Sequence, residues 1–467
     1  MKKILYISLL LLYTFSTGCK KFIDVNDDPN RPTQVQEALI LSAVELAIAH
    51  RVVAGAEGLA PVLAQHYMQV VCLNQPVPNH GTYLLVNSEL NGDWIAVYAK
   101  ALNNLTILNQ KAETSGNFNY AAIAKILSAF SLATATDWWG DVPYTEALKG
   151  SENFTPVYDN QQSIYAGIQT LLDNAIADIA KNTGKKPGSD DNFYEGDMEK
   201  WKRLAYTLKA RYYMHLTKAP GTTPAAQADL ALQALQQGMQ SNDDDLKYSY
   251  PGGAGGEIQW YWTFDPVSTL VLSSAFVDTL KVRNDPRLSK MVAPAANTGL
   301  YNGRKIGTID VGNLQDYSVP GDFYRDPAAS CYILTYSEAL FLKAEASYIK
   351  SGVAAAQPFY LEGIESHMTK LGLPLNKPDV INYIAARGTL LTANALQRII
   401  EEKVIANFLS FENWNDWRRT GYPVLTKPAN AQGEIPRKLL YPQLERASNP
   451  QPQQSSVLTD RVWWDKS

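Results

Sequence analysis

A one-sided stripe of apolar residues constrains the fold of this chain more than any other feature. Within 161–181 the apolar side chains recur at spacings of three and four; they are Ile164, Ile168, Leu171, Leu172, Ala175, Ile176 and Ile179. Residues with this spacing share one face of an α-helix, and an apolar face has to pack against a core. The spacing therefore predicts a helix over 161–181 that is buried along one side.

The same spacing recurs through most of the chain, whereas the alternation typical of strands is scarce. Further helices are predicted around 123–130 and 201–212, and over 35–51, 94–112, 225–239, 267–282, 336–349 and 395–409. Paired helices with alanine at their contacts are how tetratricopeptide-type units stack. The predicted fold is mostly α, a tetratricopeptide-like helical repeat scaffold.

The N-terminus predicts export. Lys2 and Lys3 precede an apolar run over 4–13, which suits a signal peptide and is too short to span a bilayer. Lipoprotein signal peptidases cleave before a cysteine that follows small residues, as in Ser16, Thr17, Gly18 and Cys19. We therefore expect a lipoprotein signal peptide over 1–18, lipidation of Cys19, a tether over 19–34 and a single helical body over 35–467. An ordinary secretory signal with an incidental cysteine is the alternative.

The charge and composition of the chain limit the classes of partner that it is expected to bind. The chain has 42 basic and 46 acidic residues, with no basic block that could follow a phosphate backbone, which argues against nucleic acid. Beyond Cys19 no apolar run approaches the ~20 residues of a membrane span, so the lipid is the predicted membrane contact. The histidines show no metal-ligand spacing, and no metal is predicted. Cys72 and Cys331 are expected to be buried thiols rather than a disulfide.

Three long stretches break the helical pattern, at 73–93, 243–266 and 294–330. The second contains the aromatic run 260–264, and the third contains Tyr301, Tyr317, Phe323, Tyr324 and Arg325. Loops longer than about 15 residues in a compact protein are usually functional or disordered, and aromatic-rich loops are seldom disordered. These stretches predict a loop-rich ligand-binding face.

Several segments carry a family resemblance. They are DDPNRPT at 27–33, TDWWGDVPY at 136–144, DPR at 285–287, the AEA within 335–346, WRRTGYP at 417–423 and IPR at 435–437. In this order they resemble the SusD/RagB family of outer-membrane nutrient-binding lipoproteins, over nearly the whole chain. The resemblance implies a lid on a SusC-like TonB-dependent transporter that captures an oligosaccharide or a peptide and delivers it uncut. It also implies a lipid-anchored position at the outer membrane, facing the cell surface.

An enzyme is the main alternative class. Asp137 and Asp141 could imitate a catalytic carboxylate pair, but a helix end followed by Gly140 and Pro143 favours local hydrogen-bonding roles. The sequence has no G-x-S-x-G, P-loop or dinucleotide fingerprint, so neither a catalytic residue nor a cofactor is predicted. An all-helical glycan hydrolase remains open, because no short motif reveals its two carboxylates. A protein-binding helical-repeat scaffold is a second alternative.

The predicted ligand site lies where 73–93 and 255–266 approach each other. Sugar rings stack on tryptophan and tyrosine, and their hydroxyls need amides, carboxylates or arginine. The candidate stacking platforms are Tyr83, Trp260 and Trp262, and the candidate polar partners are Asn87, Asn91, Gln259 and Arg325. Tryptophans beside helical stripes are expected to be buried packing. Arg418 and Arg419 could bind an anionic ligand, but next to Asp416 and Trp417 they are expected to be scaffold. The alternative is that the loop aromatics pack inward too.

Overall fold

The computed structural model describes residues 35–73, 79–265, 270–310, 312–451 and 457–465. The predicted signal peptide, Cys19 and the tether therefore lie outside the described residues.

Helices dominate the described residues, which confirms the predicted fold class. They are α1 (Glu37–Ala47), α2 (Ala60–Tyr67), α3 (Asn91–Trp94), α4 (Asn103–Ser115), α5 (Phe118–Trp139), α6 (Gln161–Lys181), α7 (Met198–His215), α8 (Pro224–Leu235), α9 (Gln259–Phe264), α10 (Ser274–Val282), α11 (Leu288–Met291), α12 (Asp322–Arg325), α13 (Tyr336–Ser351), α14 (Val353–Lys370), α15 (Pro378–Arg387), α16 (Ala395–Ala406), α17 (Glu412–Thr420) and α18 (Gln443–Ser448). Two π-helical segments, Ile48–Val53 and Ile95–Leu102, continue α1 and link α3 to α4.

Helix α6 begins and ends where the stripe predicts. The side chain of Asn160 caps its first turn by accepting from the Ser163 amide at 2.9 Å, and Asn182 ends it in the left-handed conformation. Ile164, Ile168 and Leu172 are fully buried. The apolar face thus packs against the neighbouring helices, as an amphipathic stripe requires.

The long helices form one array of neighbouring pairs. Packing runs from α4 through α5, α6 and α7 to α8, then to α13, which contacts α14 and α16. The step from α8 to α13 skips 236–335, so this segment is an insertion in the array. Its ends are held together by β4 (Leu246–Ser249) and β8 (Ser330–Leu334), an antiparallel pair. The array is the scaffold and the insertion is the loop-rich part.

Three more short antiparallel pairs join distant parts of the chain. β1 (Val71–Leu73) pairs with β5 (Leu270–Leu272), β2 (Val142–Pro143) with β3 (Tyr158–Asp159), and β6 (Val292–Ala293) with β7 (Val319–Pro320). The first pair ties the N-terminal helices to the insertion, so the insertion has a fixed position on the array.

Buried apolar side chains form one continuous cluster that includes Trp138, Trp139, Trp201 and Trp417, as predicted for tryptophans beside helical stripes. Cys72 and Cys331 are buried free thiols, also as predicted. One helix in the described residues, α5, is long and apolar enough to cross a membrane by length and composition, and 83% of its apolar window is buried inside the protein. Helix α5 packs between α4 and α6 as the core helix of the array.

The three predicted loops contain more regular structure than expected. The first includes a 3-10 turn at His80–Thr82, another at Asn87–Leu90, and α3; the second contains β4 and α9; the third contains β7 and α12. The run 260–264 is therefore helical and not an irregular loop, and this difference decides which of its aromatic rings are exposed.

Candidate functional site

Helix α9 exposes one tryptophan and buries another. Trp260 and Phe264 are four residues apart, so they share one face, and they are 4% and 0% exposed. Their ring centroids lie 6.1 Å apart in the core. Trp262 lies two residues from each, on the other side of the helix, and is 54% exposed. The helical period separates the three aromatic side chains into core and surface.

The indole of Trp262 is supported by a neighbouring ring. The edge of one ring meets the face of the other between Tyr261 and Trp262, with centroids 5.3 Å apart at 73°. Tyr261 itself packs partly against the core. An exposed ring fixed in this way loses little conformational entropy on contact with a ligand, and apolar C–H faces of sugars stack on such rings.

Helix α12 lies beside α9 and positions a guanidinium group. The Nε of Arg325 donates to the Pro320 carbonyl at 2.9 Å, and its Nη1 donates to Asp265 Oδ2 at 3.3 Å. Asp265 directly follows α9, and the Ile258 amide before α9 donates to the Pro327 carbonyl at 3.1 Å. These contacts hold the two short helices together and fix the Arg325 side chain, which is 22% exposed.

A pocket of about 310 Å³ opens between these elements. Its polar lining combines a carboxylate, an amide, a phenol and a guanidinium, and the full lining is Phe264, Asp265, Ala293, Pro294, Ala296, Gln315, Tyr317, Val319 and Arg325. Planar polar groups and exposed aromatic rings are what recognition of a sugar requires. The pocket and Trp262, which precedes the lining residue Asp265 by three positions in the chain, are the two parts of the candidate site.

Four of the seven predicted ligand residues belong to this region, and they differ in exposure. Trp262 and Arg325 are accessible, and Gln259 is half-buried with its amide donating to the Thr263 hydroxyl at 3.3 Å. Trp260 is a correction to the predicted site, because its ring lies in the core and offers no face to a ligand. Asp265, Gln315 and Tyr317 were not predicted, although the position of Asp265 directly after an aromatic run was visible in the sequence.

The other three predicted residues lie against the C-terminal segment. Tyr83 is 5% exposed and packs at 5.6 Å from Tyr67, so it too is core and not a stacking platform. The amide of Asn87 donates to the Tyr441 carbonyl at 2.6 Å, and the side-chain oxygen of Asn91 accepts from the Leu444 amide at 3.0 Å. Both asparagines therefore hold the segment 441–444 in place.

The predicted approach of the two stretches has a topological counterpart. Leu73 pairs with Leu270 at the end of the β1–β5 ladder. Because the strands are antiparallel, the chain leaves β1 and enters β5 at the same end. The hydrogen bonds described above nevertheless join the two stretches to different helices. The first stretch, 73–93, contacts α18, and the second stretch, 255–266, contacts α12.

The carboxylate pair that could imitate an active site is part of the scaffold. Asp137 is 2% exposed and accepts from the Trp464 indole at 2.9 Å and from Asn415 at 3.2 Å. Asp141 accepts from the Gln161 amide at 2.9 Å, at the start of α6. Neither role is local to the end of α5, contrary to what the sequence indicates: Asp141 contacts the start of α6, 20 residues further along, and Asp137 joins distant segments.

A buried histidine completes the Asp137 network. The Nε2 of His215 lies 2.7 Å from Glu412 Oε1, and its Nδ1 lies 3.4 Å from Asp137 Oδ2. Burial alone would lower the pKa of His215, but the two carboxylates outweigh burial and raise the pKa to about 9. The imidazolium is 1% exposed, so it is a structural cation enclosed by α5, α7 and α17.

The arginine pair at 418–419 is also scaffold, as predicted. Arg419 donates to Asp416 at 2.6 Å and forms a two-point ion pair with Glu345. Arg418 donates to the Asp137 carbonyl at 2.7 Å and lies 4.0 Å from the Trp414 ring. No group of three or more metal-ligating side chains occurs in the part of the chain that the structure describes.

The fold defines a class: a helical-repeat protein that carries an aromatic-rich insertion over 236–335. A family model described as starch-binding and associating with the outer membrane, SusD-like, matches residues 29–442. The match spans most of the chain, which therefore belongs to the SusD-like family. This confirms the resemblance found in the motifs. No curated protein sequence matches the chain significantly.

Solved structures agree with the family. A chitin-binding protein is 26% identical, with a TM-score of 0.79 over 92% of this chain and 100% of the other. A SusD/RagB family protein from Bacteroides thetaiotaomicron is 24% identical, with a TM-score of 0.77 over 93% and 99%. A chitin-binding SusD homologue from Flavobacterium johnsoniae is 22% identical, with a TM-score of 0.77 over 92% and 97%. The last two support the fold alone.

Proposed function

We propose that this protein captures a glycan at the Trp262 site and delivers it, uncut, to a SusC-like TonB-dependent transporter. The observation that carries the proposal is the exposed indole of Trp262 on α9, together with the pocket at the end of α9 whose polar lining is Asp265, Gln315, Tyr317 and Arg325. Membership of a family described as starch-binding supports a carbohydrate ligand, and so does the similarity to a chitin-binding protein.

Binding without cleavage is the simpler chemistry for this site. Hydrolysis of a glycosidic bond uses two carboxyl groups that flank the scissile bond. In the pocket Asp265 is the acidic lining residue, and it is paired with Arg325. A carboxylate held by a guanidinium suits hydrogen bonding to sugar hydroxyls better than acid–base catalysis.

Replacing Trp262 by alanine is expected to weaken glycan binding by about 1–2 kcal/mol, roughly tenfold in Kd, because one stacking platform is lost. The melting temperature should stay near that of the wild type, since the side chain is more than half exposed. Isothermal titration with oligosaccharides and a thermal melt measure the two effects.

Phe154→Ala is the matched control, because Phe154 is an equally accessible aromatic, 76% exposed, outside the insertion. It should leave both affinity and melting temperature unchanged. Unchanged affinity in the Trp262 variant, or an equal loss in the Phe154 variant, would place the ligand elsewhere.

Lipid attachment at Cys19 and partnership with a barrel extend the proposal to the membrane. Cys19→Ala is expected to move the protein from the outer-membrane fraction to the soluble fraction, since acylation supplies the membrane affinity. Cys72→Ala is the control and should remain in the membrane. A membrane-bound Cys19 variant argues against lipidation at this residue.

The partnership is tested separately. Detergent extraction of the wild type should recover the protein together with a large TonB-dependent barrel, encoded beside this gene. Extraction without a barrel argues against the lid role.

A further inference from the structure

We propose that the ligand of the Trp262 site is a neutral or amino-bearing glycan and that Asp265 excludes uronate-containing glycans; this inference rests on the proposed function. Arg325 is the one basic residue in the lining of the pocket. A free guanidinium there would be the natural partner of a uronate carboxylate.

The charge of Arg325 is already matched by its surroundings. Its Nη1 donates to Asp265 Oδ2 at 3.3 Å, its Nη2 lies 3.9 Å from Asp322 Oδ1, and its Nε is used by the Pro320 carbonyl. An anionic sugar would have to displace Asp265 from the guanidinium or approach two carboxylates that remain in place. Neutral hydroxyls carry no such cost, because they can accept from the guanidinium and donate to Asp265 together.

The rim of the site adds to this effect. In the segments 257–265, 312–319 and 321–327, Arg325 is the only basic residue, and the acidic ones are Glu257, Asp265, Asp316, Asp322 and Asp326. The elements packed against α12 contribute one further cation, Lys290 on α11, which is exposed. The segments that carry the polar lining residues are therefore net negative, and such a charge repels carboxylates and attracts protonated amines.

Three of the rim carboxylates are oriented by hydrogen bonds. Glu257 accepts from the Gly255 amide at 2.8 Å, and Asp326 accepts from the Ala328 amide at 2.9 Å. Asp316 accepts from the Asn297 side chain at 2.8 Å. Among the rim carboxylates that face the Arg325 guanidinium, Asp265 is nearer than Asp322.

The test compares hexamers of glucose, N-acetylglucosamine, glucosamine and galacturonate at about pH 6, where uronate carboxyls are ionised. At low salt the wild type should bind at least one neutral or amino hexamer and should bind the galacturonate hexamer at least tenfold more weakly than that hexamer. The wild type should bind the glucosamine hexamer more tightly than the N-acetylglucosamine hexamer, and this difference in affinity should shrink as salt is added. Asp265→Asn should strengthen galacturonate binding several-fold, because it releases Arg325.

Two variants make the result specific. Asp326→Asn removes one rim charge, keeps a side-chain oxygen for the Ala328 amide and does not contact Arg325, so it should change galacturonate affinity less than Asp265→Asn. Adding Arg325→Gln to Asp265→Asn should abolish the gain. Equal binding of galacturonate and neutral hexamers by the wild type, or no gain in Asp265→Asn, overturns the charge selectivity while glycan capture stands. Failure of every hexamer to bind overturns the proposed function, and this inference with it.

Discussion

Replacing Arg287 by methionine is expected to lower the free energy of unfolding by about 3–5 kcal/mol, because it leaves buried carboxylates without their cation. Arg287 is fully buried, and its Nη2 donates to Asp285 at 2.6 Å, to Glu402 at 2.7 Å and to the Tyr383 hydroxyl at 2.7 Å. The guanidinium thus joins the insertion to α15 and α16. Urea unfolding followed by circular dichroism measures the change.

The control for this variant is Lys427→Met, which breaks the exposed pair of Lys427 with Glu434. Both side chains of that pair are more than 40% exposed, and exposed pairs contribute about 0–1 kcal/mol. The control should therefore unfold nearly as the wild type does. An Arg287 variant within 1 kcal/mol of the wild type would contradict the account of a buried ion cluster that holds the insertion on the array.

Stability is expected to fall by about 3 kcal/mol between pH 6 and pH 10 through His215 alone. The pKa of His215 is about 9 in the folded protein and 6.5 when the group is unperturbed. A raised folded pKa means that the stabilisation is complete below pH 6.5 and is lost as the pH rises through 9. Glu412, whose pKa is lowered because the cations around it outweigh its burial, acts at the acidic end, where stability is lost as the pH falls.

Comparison with His215→Gln isolates this contribution, since other groups also titrate. The variant should be less stable than the wild type at pH 6 and should lose less stability between pH 6.5 and pH 9. Urea unfolding at intervals of one pH unit measures both slopes. Parallel slopes in the two proteins would show that the imidazole is not a buried cation.

The sequence predicts the long helices that have one apolar face and one polar face. It does not predict helices whose buried positions are occupied by charged side chains. Residues 161–181 form a helix as predicted, because its apolar and polar faces are separate. Helix α17 was not predicted, since its buried positions include charged residues such as Asp416 and Arg419, which pair with each other and with charged side chains from other helices. Helix α14 was not predicted either, because it contains Pro358, and a proline inside a helical pattern usually indicates the end of a helix.

The candidate site was predicted in part for a similar reason. The sequence predicts a loop over 260–264, and a loop gives no basis for separating Trp260 from Trp262. In a helix, residues two apart lie on different sides, so one ring is core and the other is surface. Tyr83 was misplaced because its burial depends on His66 and Tyr67, contacts that no local pattern encodes. The partnership of Asp265 with Arg325 likewise requires tertiary structure.

The proposed function is capture of a glycan without its chemical transformation. Titration of the purified protein with a panel of soluble oligosaccharides, followed by mass spectrometry of the recovered ligand, tests both parts of this proposal. We expect saturable binding of at least one oligosaccharide that is recovered with its mass unchanged after prolonged incubation. Shortened products would identify a hydrolase, and the absence of binding across the panel would contradict glycan capture.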